Sequence, residues 1–219
     1  MSLVVLKVGG AVDAVVAARS VNELVFQEHK VVLVHGAGAQ ITAAMETLGI
    51  PVEFVAGRRV TSAAALDVVR TALAEVNAAL CAAIGPRASA FPDGALEATP
   101  APGLGLVGDP VASAPHLVVE ALAAGLIPVV APLAAGPLNV NGDEAAAALA
   151  LGLGAERIVF VSDVPGVLVD GAVAPSLAAA EAERLAGGFE GGIVPKLLAA
   201  ARAARGGVAA EIGQTVVTA

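Results

Sequence analysis

Leu3-Val4-Val5-Leu6-Lys7-Val8-Gly9-Gly10 reads as a strand that runs into a glycine turn. Its apolar residues are continuous rather than alternating, the pattern of a strand buried on both faces of a parallel sheet. The same grammar returns at Val31–Val34, which ends in His35-Gly36-Ala37-Gly38, and again at Ile127–Ala131 and Arg157–Val161. Between these runs lie alanine-rich segments of helical pattern: Asp13–Glu28, Gln40–Leu48, Ser62–Ile84 with Ser62 as its cap, Ala114–Ala124, Asp143–Gly152, Leu177–Leu185 and Pro195–Arg205. Val52–Val55 and Arg59–Thr61 flank Ala56-Gly57 as a hairpin, and Ala209–Ile212 and Thr215–Thr218 read as closing strands. Pro86 to Pro110, rich in Pro and Gly, is expected to carry short strands and turns, and Leu138–Val140 a short edge element. This β–α alternation with short connections predicts an α/β fold, a three-layer α/β/α sandwich with a mostly parallel central sheet.

Composition removes several function classes. The chain has 219 residues, 57% of them hydrophobic, enough for a substantial core. Its net charge of −8 and the lack of Trp and Tyr speak against a nucleic-acid surface or base stacking. The mean hydropathy of +0.83 raises the question of a membrane. The most apolar stretch, Leu117 to Ala135, is interrupted by Glu120, Gly125, Pro128 and Pro132, so no spanning segment is expected. No signal peptide is read at the start, and a cytoplasmic location is expected. Cys81, the lone cysteine, reads as a small buried apolar residue.

In an open parallel sheet, ligands gather beyond the carboxyl ends of the strands. The chemically informative residues fall there. Only three of the twelve basic residues are lysines; Lys7 and Lys196 stand beside glycine pairs, and Lys30 precedes an apolar run as an ordinary surface charge. A compact ammonium next to close-approach glycines suits a phosphoryl group. Gly9-Gly10 and His35–Gly38 serve either as tight turns or as loops whose N–H groups approach an anion. Asn139-Val140-Asn141-Gly142-Asp143 opens a helix. Asp143 reads as a cap or first-turn acid, or as a carboxylate that fixes the two ammoniums. Ser162-Asp163-Val164-Pro165-Gly166-Val167-Leu168 is a turn after a strand. The dinucleotide fingerprint lacks its third glycine, no Gly-Lys-Ser/Thr occurs, and no Cys/His cluster suggests zinc, so no metal-ligating residue is assigned. His35 reads as structural.

Seven motifs in order resemble the amino-acid kinase family: Lys7–Gly10, Val34–Gly38, Gly57–Thr61, Gly125–Pro132, Asn139–Asp143, Ser162–Leu168 and Gly191–Lys196. Phe54–Thr61 is similar to the stretch typical of members that phosphorylate N-acetyl-L-glutamate. The resemblance implies ATP-dependent phosphorylation of the side-chain carboxylate of N-acetyl-L-glutamate, a step of arginine biosynthesis. Lys7 and Lys196 would then stabilise the transferring phosphoryl group, with Asp143 organising them. Gly10, Ala37 and Gly38 would hold phosphoryl and acceptor, Arg59 and Asn139 the acceptor. Asp163, Val164, Pro165, Gly166, Val167 and Leu168, with Gly188, Phe189 and Glu190, would line the nucleotide site, with Mg²⁺ carried by the ATP. Residues 1–135 would form the acceptor lobe and 136–219 the nucleotide lobe. Rival readings are a sibling kinase for another acyl-amino acid, a carrier-linked aminoadipate or carbamate, and a non-catalytic sensor of the same fold.

Departures from the family pattern shape three expectations. Ala37 replaces a usual glycine, so its methyl is expected to point away from the ligand. The shorter Ile84–Pro110 segment and the short close after Gly206-Gly207 imply a reduced nucleotide lobe. The first strand starts without the N-terminal helix of arginine-inhibited hexamers, and an arginine-insensitive homodimer is expected.

Overall fold

A computed structural model of the chain describes residues 2–161 and 164–219. In chain order the elements are β1 (Leu3–Val8), α1 (Ala14–Phe26), β2 (Lys30–His35), α2 (Gly38–Thr47), β3 (Phe54–Val55), β4 (Arg58–Arg59), α3 (Ala63–Ile84), β5 (Ala88–Phe91), β6 (Ala98–Pro100), β7 (Gly108–Pro110), α4 (His116–Ala123), β8 (Ile127–Val130), β9 (Leu133–Ala134), β10 (Leu138–Asn139), α5 (Gly142–Gly152), β11 (Arg157–Phe160), β12 (Leu168–Val169), β13 (Ala172–Val173), β14 (Ser176–Ala178), α6 (Ala179–Ala186), α7 (Ile193–Arg205), β15 (Ala209–Ile212) and β16 (Thr215–Thr218). Among these residues no helix is long and apolar enough to cross a membrane.

Eight strands form one sheet in the order β14-β16-β15-β11-β1-β2-β8-β5, and every neighbouring pair is parallel except β15 with β16. Successive side chains along a strand alternate between faces, and the two cores follow that alternation. Leu6, Val8, Val31, Leu33, Ile127 and Val129 pack with Ala17 and Val21 of α1 and Leu80 of α3. Val5, Val32, Val34, Val130, Ile158 and Phe160 pack on the opposite side with residues of α4, α5, α6 and α7. The architecture is the expected three-layer sandwich. A third cluster joins α2 and α3 through Ile41, Met45, Leu66, Val69 and Leu73.

Helix starts follow local capping chemistry. Asp13 accepts from Val15 N at 2.8 Å and opens α1, and Ser62 accepts from Ala65 N at 3.2 Å and opens α3. α5 begins differently from a reading in which Asp143 caps it. Asn141 is the cap, accepting from the N–H groups of Asp143 and Glu144 at 2.9 and 3.2 Å, and Asp143 lies in the first turn, 6% exposed. Ala145–Ala150 are all buried, so α5 is covered all round. Small residues let it sit between β1, β11 and α7.

One element differs from the sequence reading. Leu138–Asn139 pairs antiparallel with Leu133–Ala134 in a ribbon of its own, not at an edge of the main sheet. One edge of the main sheet is formed by Ala88–Phe91 beside β8, one of the short strands expected within Pro86–Pro110. Its Ala-Ser-Ala-Phe sequence has little β-propensity, and the pairing with β8 supplies what local preference does not.

Candidate active site

β1 and β2 end side by side, and both lead into glycine turns. Gly10 allows those turns to touch. A Cβ there would lie 2.6 Å from Ala37 Cα and 2.9 Å from Ala37 N, closer than any side chain tolerates. Gln40 Nε2 ties the turns by donating to the Gly10 carbonyl at 2.6 Å. Gly38 starts α2, so its helix N-terminus faces the same space. Ala37, 2% exposed, packs in the apolar cluster with Ile41 and Leu66.

Lys7 lies on the strand face shared with Val5, toward α5. Its Nζ stands 2.8 Å from Asp143 Oδ1, and Lys196 Nζ approaches the same oxygen from α7 at 3.4 Å. All three side chains are buried: Lys7 8%, Asp143 6% and Lys196 9% exposed. Taking charges out of water is costly unless they are paired, and one carboxylate oxygen here serves two ammoniums. Lys196 also lies over the Phe160 ring, 5.1 Å from its centroid.

These side chains border a cleft of about 330 Å³ that also meets Gly10, Ala37, Gly38, Arg59 and Asn139. Every residue assigned from the sequence to catalysis or acceptor binding is therefore brought to one cavity. Arg59 Nη2 donates to the Gly38 carbonyl at 3.1 Å and to Thr42 Oγ1 at 2.7 Å, and its guanidinium lies 4.6 Å from the Phe54 ring centroid. Burial lowers the Arg59 pKa, and the guanidinium stays charged at neutral pH. Asn139 Nδ2 donates to Thr61 Oγ1 at 3.0 Å, and that hydroxyl donates to the Arg59 carbonyl at 2.7 Å.

A second, more apolar cavity of about 660 Å³ adjoins the first. It is lined by Val12, Val16, Val161, Val164 and Ile193, and it shares Gly9, Gly192 and Lys196 with the cleft. Of the residues assigned to the nucleotide, Val164 lies on this cavity. Pro165, Gly166, Val167, Leu168, Gly188, Phe189 and Glu190 do not line it, and Asp163 is outside the described residues. Gly166 packs where a Cβ would meet Val173 and Thr215, and the Val167 N–H donates to Thr215 Oγ1 at 2.8 Å. Leu168 begins the β12–β13 hairpin, and Phe189 packs on the core.

Three residues of the site were not singled out from the sequence. Arg58 is paired with Glu144 (Nη2 to Oε2, 2.9 Å) and with Asp109, and Asn141 Nδ2 donates to the Gly57 carbonyl at 3.2 Å. Together they hold the β3–β4 hairpin against the start of α5. Ala56 and Gly57, with φ of 49° and 77°, form the tight turn at its tip. Gln40 is the third. Among these, only the Asn-Gly-Asp helix start left a sequence signal.

The sequence pattern of the amino acid kinase family matches residues 2–213. The chain belongs to the amino acid kinase family. An acetylglutamate kinase of Rubrobacter xylanophilus is 44% identical over 224 residues, covering 97% of this chain and 88% of the relative. One from Roseiflexus castenholzii is 41% identical over 224 residues, covering 94% of this chain and 86% of the relative. Among solved structures, smu.665 from Streptococcus mutans UA159 superposes with a TM-score of 0.84 at 26% identity, covering 99% of this family member and 98% of that chain.

Proposed function

We propose that this chain is an ATP-dependent kinase that phosphorylates the side-chain carboxylate of N-acetyl-L-glutamate, yielding the acyl phosphate in arginine biosynthesis. The observation that carries the proposal is the pair of ammoniums on Asp143 in the cleft, one of which, Lys196, also lines the adjoining cavity. Such an arrangement suits a group that crosses from one substrate to the other. The acceptor is chosen on the relatives named acetylglutamate kinase, 41–44% identical over nearly the full chain.

In this reading the acceptor occupies the 330 Å³ cleft, its α-carboxylate on Arg59 and its acyl-amino portion near Asn139. The nucleoside occupies the apolar cavity, with Val164 on its wall. An oxygen of the acceptor carboxylate attacks the γ-phosphorus in line. The new O–P bond forms as the bond to the β-γ bridging oxygen breaks, and ADP carries away that electron pair. Charge on the migrating group is met by Lys7, Lys196 and the N–H groups of the glycine turns, and Asp143 keeps the lysines in place. An acceptor carboxylate is already ionised at neutral pH, so no general base is needed. His35 is completely buried, and burial lowers its pKa to about 4. Mg²⁺ is proposed to arrive on the nucleotide, where it would offset phosphate charge. The carboxylate in the cleft wall, Asp143, already serves two ammoniums through Oδ1.

The nucleotide and acceptor lobes assigned to residues 136–219 and 1–135, a cytoplasmic location and a homodimer complete the proposal. Exposure of Val15 and Phe26 on α1, 63% and 89%, supports an apolar contact with a second copy. The test is ADP release with N-acetyl-L-glutamate beside glutamate, aspartate and carbamate. Turnover with the acetylated amino acid is expected. Turnover confined to another acceptor would assign a sibling reaction, and calorimetric ATP binding without any turnover would make the protein a sensor.

A further inference from the structure

Behind the Gly36–Gly38 turn lies a buried polar chain that the phosphoryl chemistry above does not use. His35 ends β2 with no exposure, and Asn77, on the inner face of α3, is 1% exposed. Asn77 Nδ2 stands 2.8 Å from the Val129 carbonyl and 3.0 Å from His35 Nε2. A carbonyl oxygen only accepts, so the amide atom facing Val129 is the nitrogen, and this decides the orientation of the Asn77 side chain. The half-buried Cys81 thiol agrees with it, donating to Asn77 Oδ1 at 3.7 Å, and burial pushes that thiol's pKa up so that it keeps its proton. One hydrogen of Nδ2 goes to Val129 and the other points at His35 Nε2. That ring nitrogen must accept. A neutral imidazole has one proton, which therefore sits on Nδ1.

Nδ1 faces the Gly36 carbonyl at 3.5 Å, the outer reach of a hydrogen bond. This carbonyl belongs to the Gly36–Ala37 peptide. In a trans peptide the C=O and N–H point in opposite directions, so a carbonyl held toward His35 turns the Ala37 N–H the other way. Gly10 adjoins this peptide, its ideal Cβ position 2.9 Å from Ala37 N, and both residues line the cleft. With the proton on Nε2 instead, two donors would collide at Asn77 and two acceptors at Gly36, and the peptide would be driven to turn.

We propose that Asn77 locks His35 in its Nδ1–H tautomer, and that His35 is thereby a positioning residue that aims the Ala37 N–H at the anion held between the glycine turns. The identity of that anion, a transferring phosphoryl group, rests on the kinase reading above. The tautomer and the peptide orientation do not.

The experiment combines ¹⁵N NMR of the His35 ring with steady-state kinetics on the intact chain. Wild type is expected to show the Nδ1–H tautomer, and Asn77→Leu a mixture of tautomers or the Nε2–H form. In Asn77→Leu kcat should fall at least about tenfold, part of the roughly 10²- to 10³-fold that one lost transition-state donor costs, with the KM for both substrates changed less than about threefold. A second pair guards against misfolding. His35→Asn retains an amide N–H able to reach the Gly36 carbonyl and should keep most of kcat, whereas His35→Leu should lose it at similar melting temperature. An Nε2–H tautomer in wild type, or wild-type kcat in His35→Leu, overturns the proposal. If wild type turns over no acceptor, the kinase reading fails separately. The proposal is then decided by the Ala37 amide, whose proton should shift downfield with AMP-PNP in wild type and not in Asn77→Leu; equal shifts in both would sink it.

Discussion

Asp143 Oδ1 holds two buried ammoniums at 2.8 and 3.4 Å, so neither lysine can be removed without changing the field felt by whatever enters the cleft. Lys7→Ala or Lys196→Ala should each lower kcat by about 10²-fold or more, as lost charge stabilisation does at comparable sites. Coupled ADP release at saturating substrate measures it, and near wild-type turnover in either variant would remove these lysines from the mechanism. His35 gives a second prediction, on stability. Burial lowers its pKa from the ordinary 6.5 to about 4. Above pH 6.5 neither the folded nor the unfolded protein protonates this ring, and the neutral form costs nothing. As pH falls from 6.5 to 4 the unfolded chain takes up the proton first, so stability declines, by about 3 kcal/mol in all. Carboxylates add to the acid loss in any variant. The difference between wild type and His35→Asn isolates the imidazole: urea midpoints of the variant should fall less steeply between pH 6.5 and 4, and parallel curves would show that His35 is protonated in the folded state.

At the scale of elements, the start of α5 does two jobs through one side chain. Asn141 Oδ1 caps the helix that carries Asp143, while its Nδ2 reaches the Gly57 carbonyl at the tip of the β3–β4 hairpin. Asn141→Ala removes both and should cost about 1 kcal/mol of stability from the lost cap. Asn141→Ser keeps a cap but is too short to reach the hairpin. It should melt near wild type while the KM for the acceptor rises about 2- to 10-fold, the net worth of one hydrogen bond. Equal loss of stability in both variants would show that the hairpin contact, not the cap, is what Asn141 contributes. The two jobs also explain what could be read in the sequence. Lys7 and Lys196 were legible because lysine is rare here and each adjoins glycines. The capping alternative for Asp143 was open because Asn and Asp both suit a helix start, and only the geometry assigns the cap to Asn141. Arg58 was not legible, since its partners Asp109 and Glu144 lie far along the chain and meet it only in the fold. Gly166 and Val167 followed a strand and read as a ligand turn. Both pack on Thr215, a contact no local pattern announces.

Across the whole molecule, β–α alternation was sufficient to give a parallel three-layer sandwich, because strands buried on both faces write continuous apolar runs. Strand order was not given by it, since pairing depends on residues far apart in the chain. That order bears on how independent the two halves are. The strands up to residue 130 lie on one side of the sheet as β1, β2, β8 and β5, and those after residue 157 lie on the other as β11, β15, β16 and β14. The halves join where β1 pairs with β11, from Val4–Arg157 to Lys7–Phe160. α5, from the second half, covers Val5, Val32 and Val34 of the first. A fragment of residues 1–135 would therefore bare the whole edge of β1 and one apolar face of the central strands, an edge and face that natural sheets keep covered. It should fail to fold alone, giving little hydrogen-exchange protection or aggregating, and the intact chain should unfold in one transition, with circular dichroism and core-methyl NMR tracing the same urea curve. A soluble fragment with protected β1 and β2 amides, or two separate urea transitions, would mean that the lobes assigned to acceptor and nucleotide are independent folding units and that the β1–β11 seam is a docking contact rather than part of a common core.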